Sequence, residues 1–244
     1  MVEYHRQGSG PPFVYVSGIE GTGKNFYRQA ADLECDHTVI SFPLRPTGRY
    51  GMETLVEDFV SVLKEAGVER ATVLGESFGG LLVLATALSH PDFFERMILV
   101  NSFAAFPHRA KINLGVALYS VLPYSFLKAY RTRNAGSTLF TDDIREEDRL
   151  AFRENTREVG LEGYLARLRI IRRTDLRARL SEIKVPALVV AGTADRLLDS
   201  VGAARVMTKG LPRSSLKLLE GTGHMALLSS RVRVREWLAE FDAV

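Results

Sequence analysis

Six short apolar, β-branched runs punctuate the chain, at residues 12–18 (PFVYVSG), 37–43 (HTVISFP), 71–77 (ATVLGES), 96–102 (RMILVNS), 186–192 (PALVVAG) and 215–221 (SLKLLEG). Each is bounded by Gly, Pro or polar residues, so each reads as a buried strand. Between them lie segments with helical spacing. Residues 52–67 carry Leu55, Phe59, Val62, Leu63 and Ala66 on one stripe, with Gly67 placed to end the helix. Residues 78–91 are apolar nearly all round and stop at Pro91, which predicts a buried helix. Residues 202–210 and 229–244 read as helices on either side of the last strand. Such alternation predicts a mostly parallel sheet with helices on both faces.

The alternation breaks between Phe103 and Leu180. That stretch shows no strand pattern, only helical ones at 113–130, 141–160 and 161–180. The expected organisation is a core of residues 1–102 and 181–244 with a helical lid, 103–180, inserted between two strands. The lid's apolar residues Leu114, Val116, Leu118, Tyr119, Leu122, Phe126 and Leu127 are expected either to pack it onto the core or to face a substrate pocket.

Composition narrows the setting. The chain has 244 residues, enough for one α/β domain with an insertion and for a core that needs no disulfide or metal staple. Its single cysteine, Cys35, rules out an intrachain disulfide. The N-terminal residues lack a signal-peptide pattern, and no apolar run approaches the length of a membrane span. A cytoplasmic protein is the expectation. Arginine is dense between Arg131 and Arg179, but Asp and Glu are interleaved and the net charge is only +3. A solvated helical face is therefore expected there, and no nucleic-acid partner.

The first chemical signal is Gly75-Glu76-Ser77-Phe78-Gly79, a G-x-S-x-G motif between a predicted strand and a predicted apolar helix. A turn this tight needs small residues two before and two after the serine, and it projects the hydroxyl from the sheet edge. The helix N-terminus then directs free amides at the site, with that of Phe78 a candidate oxyanion donor. A serine hydroxyl is a weak nucleophile unless a base lies within hydrogen-bond reach. Of five histidines, only His224 is both late in the chain and on a loop after a strand, where open α/β sheets place their sites. The base in turn needs an acid. Asp195 follows the 186–192 strand closely, whereas Asp199 is better placed to cap the next helix. The order Ser77, Asp195, His224 follows.

Taken together, the 4–18 segment, GESFGG, GTADRLL and GTGHMALL resemble the α/β-hydrolase superfamily over essentially the full chain. The resemblance implies an α/β-hydrolase fold of about seven strands with a helical lid. It also implies that the family's first strand is missing, because so few residues precede Pro12. It places the second oxyanion donor at the amide of Ile19. One departure stands out: the family usually has His-Gly after this strand, where the chain has Ser17-Gly18. Ser17 is expected to supply part of the hydrogen bonding that the missing histidine gives the loop.

The same loop, Gly18 to Asn25, approaches a phosphate-binding G-x-x-x-x-G-K-[ST] motif. Asn25 replaces the hydroxyl residue that such a motif uses on magnesium, and no second magnesium-binding strand follows. The expected reaction is therefore hydrolysis of small-to-medium carboxylic esters through an acyl-enzyme on Ser77, with no cofactor or metal and a small-molecule substrate. Thioesters, lactones and carbon–carbon bonds are alternatives open to the same machinery, and a non-catalytic small-molecule binder is the alternative of another class.

Overall fold

In the computed structural model, which describes residues 3–242, seven strands form one sheet. They are β1 (His5–Gln7), β2 (Pro12–Val16), β3 (Thr38–Ser41), β4 (Ala71–Glu76), β5 (Phe94–Val100), β6 (Ala187–Gly192) and β7 (Ser214–Leu219), in the order β1-β3-β2-β4-β5-β6-β7. Only β1 is antiparallel, pairing His5 with Ser41. The six apolar runs all become strands. β1 carries no apolar signal, because its three residues are polar, largely exposed and held at the edge by backbone pairing. β7 is the opposite edge, and is half-buried rather than buried as its apolar run predicts.

The helices are α1 (Tyr27–Leu33), α2 (Met52–Glu65), α3 (Phe78–Ser89), α4 (Arg109–Val121), α5 (Tyr124–Thr138), α6 (Glu146–Asn155), α7 (Leu161–Arg173), α8 (Ser200–Gly210) and α9 (Val234–Asp242). Strand alternation sorts them into two layers. Phe13 and Tyr15 of β2 point to the side that buries Leu33 of α1 and Trp237 of α9. Val14 and Val16 point to the side that buries Phe59 of α2, Leu82 of α3 and Met207 of α8. α3 is buried along most of its length because it packs against both the sheet and α2. α9 begins at Val234, so residues 229–233 are not helical, and Ala243 and Val244 lie outside the described residues.

Between β5 and β6 lie α4 to α7 and a 3-10 segment, Arg177–Glu182. The 113–130 pattern divides at Pro123, which cannot donate within a helix. An isolated antiparallel bridge, Ala105 to Asp175, closes the base of the insertion. Several arginines here are surface ion-pair members, such as Arg145 with Glu147 and Arg179 with Glu182. The side chain of Arg131 lies outside the described residues. Arg167 departs from the expected solvated face and is only 2% exposed.

The topology fixes where a site can form. The chain passes outward from β2 to β3, returns across β2 to β4, and then proceeds steadily to β7. The loops after β2 and β4 therefore leave in opposite directions and open a crevice at the strands' carboxyl ends.

Candidate active site

Ser77 occupies the turn from β4 to α3 with φ 53° and ψ −118°, a conformation that costs a non-glycine residue about 1–3 kcal/mol. The surroundings enforce it. The Ser77 amide donates to Val100 O at 2.9 Å, and the Ser102 hydroxyl donates to Ser77 O at 2.8 Å. A Cβ on Gly75 would stand 2.6 Å from Gly80 Cα, and one on Gly79 would stand 2.1 Å from Val16 O. The two small residues of the motif are thus demanded by backbone crowding.

The structure brings Ser77, His224 and Asp195 into one line. Ser77 Oγ lies 3.1 Å from His224 Nε2, and His224 Nδ1 lies 2.7 Å from Asp195 Oδ2. With Nδ1–H donated to the carboxylate, Nε2 is left to accept the serine proton. Asp195 is itself held by the amides of Leu197 and Leu198 and by the Ser200 hydroxyl. Burial raises its pKa, but the charge and hydrogen bonds of His224, with those of Ser200 and Leu198, outweigh burial and hold the carboxyl below its ordinary value. His224 is buried, which favours its neutral form. Asp195 and the more distant Glu76 carboxylate reverse that preference and raise its pKa above the ordinary histidine value. Asp199 caps α8 by accepting from the Gly202 amide at 2.9 Å, as its position in sequence suggests.

Three supporting residues escaped the sequence reading. Asn101, fully buried at the end of β5 with φ 46°, donates to the carbonyls of Gly223 and His224 at 2.9 and 2.8 Å. Its own carbonyl accepts the Gly192 amide at 2.7 Å, so one side chain ties the loop that carries His224 to the end of β6. A polar residue closing an apolar strand was the available signal. Tyr15 donates to Glu76 Oε2 at 2.6 Å behind the serine, and burial raises the Glu76 pKa against the pull of Tyr15 and His224.

The third is Arg167. The loop after β2 runs alongside Ser77, and a Cβ on Gly18 would sit 3.5 Å from Ser77 Cβ. Ser17 does not support this loop as expected: its hydroxyl is buried without a hydrogen-bond partner. Arg167 of α7 instead donates Nε–H to Ile19 O at 2.7 Å, and reaches Glu20 O, Arg45 O and the Tyr50 hydroxyl at 3.3, 2.9 and 3.1 Å. Phe78, the other oxyanion candidate, opens α3 directly after Ser77.

A cavity of about 390 Å³ opens onto Ser77, Ile19 and His224. Its apolar wall is made by Leu139, Phe152, Tyr164, Leu197 and Met225. None of the seven apolar insertion residues lines it, so packing onto the core, rather than facing the pocket, is the outcome for those that are buried, with Leu122 partly buried against that core. Val116, Tyr119 and Leu127 pack onto the core, whereas Leu114, Leu118 and Phe126 are exposed. Lys24, the residue of the phosphate-loop alternative, is absent from the lining.

A model of the alpha/beta hydrolase fold family matches residues 11–230. The chain belongs to that family. Among curated members, the "Putative carbamate hydrolase RutD" of Pseudomonas savastanoi pv. phaseolicola is 26% identical over an alignment covering 98% of this chain and 97% of that protein. Among solved structures, the esterase EaEST of Exiguobacterium antarcticum superposes with a TM-score of 0.87 at 20% identity, covering 100% of this chain and 96% of the esterase. The enol-lactonase of Burkholderia xenovorans LB400 gives 0.81 at 22% identity, with 99% and 95% covered. At these identities the structural likenesses carry the α/β-hydrolase fold alone. Among the described residues, no helix is long and apolar enough to cross a membrane.

Proposed function

We propose that this α/β-hydrolase is a serine esterase acting on carboxylic esters with small-to-medium acyl groups. The observation that carries the reading is the Ser77–His224–Asp195 alignment, at 3.1 and 2.7 Å, at the mouth of a mainly apolar cavity. Ser77 attacks the ester carbonyl while His224 takes its proton; His224 returns that proton to the leaving alcohol, and water then releases the acyl group by the same steps. The amides of Ile19 and Phe78 stabilise the oxyanion, and Asp195 holds the imidazole in the required tautomer. The helices between β5 and β6 act as a lid over the acyl pocket. A cavity of about 390 Å³ suits a short acyl chain better than a long fatty one.

The test is turnover of p-nitrophenyl esters of increasing acyl length by the wild type and by Ser77→Ala. Multiple turnover that falls off with chain length and disappears in the variant is expected. Turnover that survives in Ser77→Ala would overturn the assignment. A second reading, carbamate cleavage, draws support from the near-full-length likeness to the RutD protein. The same machinery attacks a carbamate carbonyl: the alcohol leaves with the proton from His224, water releases a carbamic acid from Ser77, and that acid loses CO2 to free the amine. Amine release from an aryl carbamate exceeding ester turnover would favour it.

A further inference from the structure

We propose that Arg167 is the positioning residue of the oxyanion loop, so that the Ile19 amide is presented to a substrate carbonyl only while helix α7 is docked on the core. This inference rests on the reading of Ser77 as the nucleophile.

The loop from Gly18 to Gly21 is a tight turn, closed by the Gly21 amide donating to Gly18 O at 3.0 Å. Ile19 and Glu20 occupy its centre, and both of their carbonyls face the Arg167 guanidinium. Those bonds fix the peptide planes that follow the Ile19 and Glu20 Cα atoms. They leave the Ile19 N–H, on the preceding peptide, with no protein acceptor among the described residues. A donor aimed at a developing oxyanion is effective when the protein holds it in place before the reaction begins.

The guanidinium engages four neutral oxygens with four of its five N–H groups. A charged group buried to 2% exposure is costly unless its donors are satisfied, so this arrangement is not a by-product of packing. The position of the family's usual loop-supporting histidine is filled by Ser17, whose hydroxyl bonds to nothing. Support that ordinarily comes from within the loop comes here from the insertion, 148 residues away in sequence.

Helix α7 is seated for this role. Gly163 lies one turn before Arg167 on the same face, and its amide donates to Pro46 O at 3.0 Å. A Cβ there would fall 2.6 Å from Pro46 O and 2.7 Å from Arg45 O. Only glycine lets the helix approach closely enough for Arg167 to span the loops after β2 and β3.

The experiment compares wild type, Arg167→Lys, Arg167→Ala and Gly163→Ala by the rate at which a fluorophosphonate labels Ser77. That reaction needs the oxyanion donors but no knowledge of the natural substrate. Arg167→Lys keeps charge and stem but cannot fork to four acceptors. Labelling and kcat are expected to fall about tenfold to a hundredfold in both Arg167 variants, with KM for a short ester changing less than about threefold. Millimolar guanidinium should restore part of the rate in Arg167→Ala. Gly163→Ala, which leaves Arg167 in place but lifts its helix, should fall in the same direction. If Arg167→Ala does not fold, Arg167→Lys and Gly163→Ala decide the question. Folded Arg167→Lys that labels within twofold of wild type would overturn the proposal while leaving the esterase reading intact. Wild type that fails to label at Ser77 would overturn both.

Discussion

Replacing Asn101 removes three buried hydrogen bonds at once. Two carbonyls, those of Gly223 and His224, and one amide, that of Gly192, lose their partner. Each orphaned buried group costs about 1–3 kcal/mol, and partial entry of water puts the sum near 3 kcal/mol. Asn101 also sits at φ 46°, where alanine carries a further strain of about 1 kcal/mol that glycine does not. Asn101→Ala should therefore lose about 4 kcal/mol and Asn101→Gly about 3 kcal/mol. For a domain of this size that is a fall in Tm of about 8–16 °C for the alanine variant. Asn101→Asp keeps the acceptor for Gly192 but sets a carboxylate oxygen against two carbonyls, so it should damage kcat more than Asn101→Gly does. Urea unfolding with an unchanged m-value, together with ester turnover on the folded fraction, measures both effects. An alanine variant losing less than about 1 kcal/mol with full kcat would refute the claim that this side chain ties the His224 loop to the end of β6.

The strained elbow predicts a trade of stability against activity: Ser77→Gly should abolish turnover yet unfold about 1 kcal/mol later in urea, and no gain in stability would mean the turn is not strained. Asp195→Asn should lower kcat by about 10³–10⁴, whereas Asp199→Asn should cost only helix-cap stability; the reverse pattern would exchange their roles. His224 must be neutral to act as base, and its raised pKa places the acidic limb of kcat/KM above the ordinary histidine value. Glu76→Gln removes a charge that favours the imidazolium, so that limb should move to lower pH; an unmoved limb would show Glu76 to be uncharged across it.

The residues that could be read along the chain are those whose role is set by near neighbours. The apolar runs at 71–77 and 96–102 became β4 and β5 because burial on both faces at Val73 and Leu74 and from Met97 to Val100 calls for apolar residues at consecutive positions. Ser77 was legible because one of the elbow's glycines, Gly75, answers a clash within five residues, against Gly80, even though Gly79 answers one with the distant Val16 O. Asp195 and Asp199 were separable because capping is a three-residue affair. β1 was not legible, since an edge strand of three polar, largely exposed residues is held by backbone pairing with Val39, Ile40 and Ser41 and carries no apolar pattern. The cavity wall was not legible either, because which face of a helix in the insertion meets Ser77 depends on how four helices stack.

Arg167 marks the limit most sharply. In sequence it is one of many arginines on an amphipathic helix, and its neighbours Arg169, Arg172 and Arg173 are polar residues of the kind such helices expose. Nothing within α7 distinguishes it except Gly163 four residues earlier, and a helical glycine is ambiguous on its own. Its meaning comes from oxygens 117 to 148 residues distant, on loops that the sheet's reversal at β2 brings together. The loop Arg167 holds is the one whose local support, Ser17, is unpartnered. A departure from a family pattern at one position therefore carries information about another position far away. On the proposal made for Arg167, where Ser17 stands in place of histidine the donors that hold the turn come from this buried arginine.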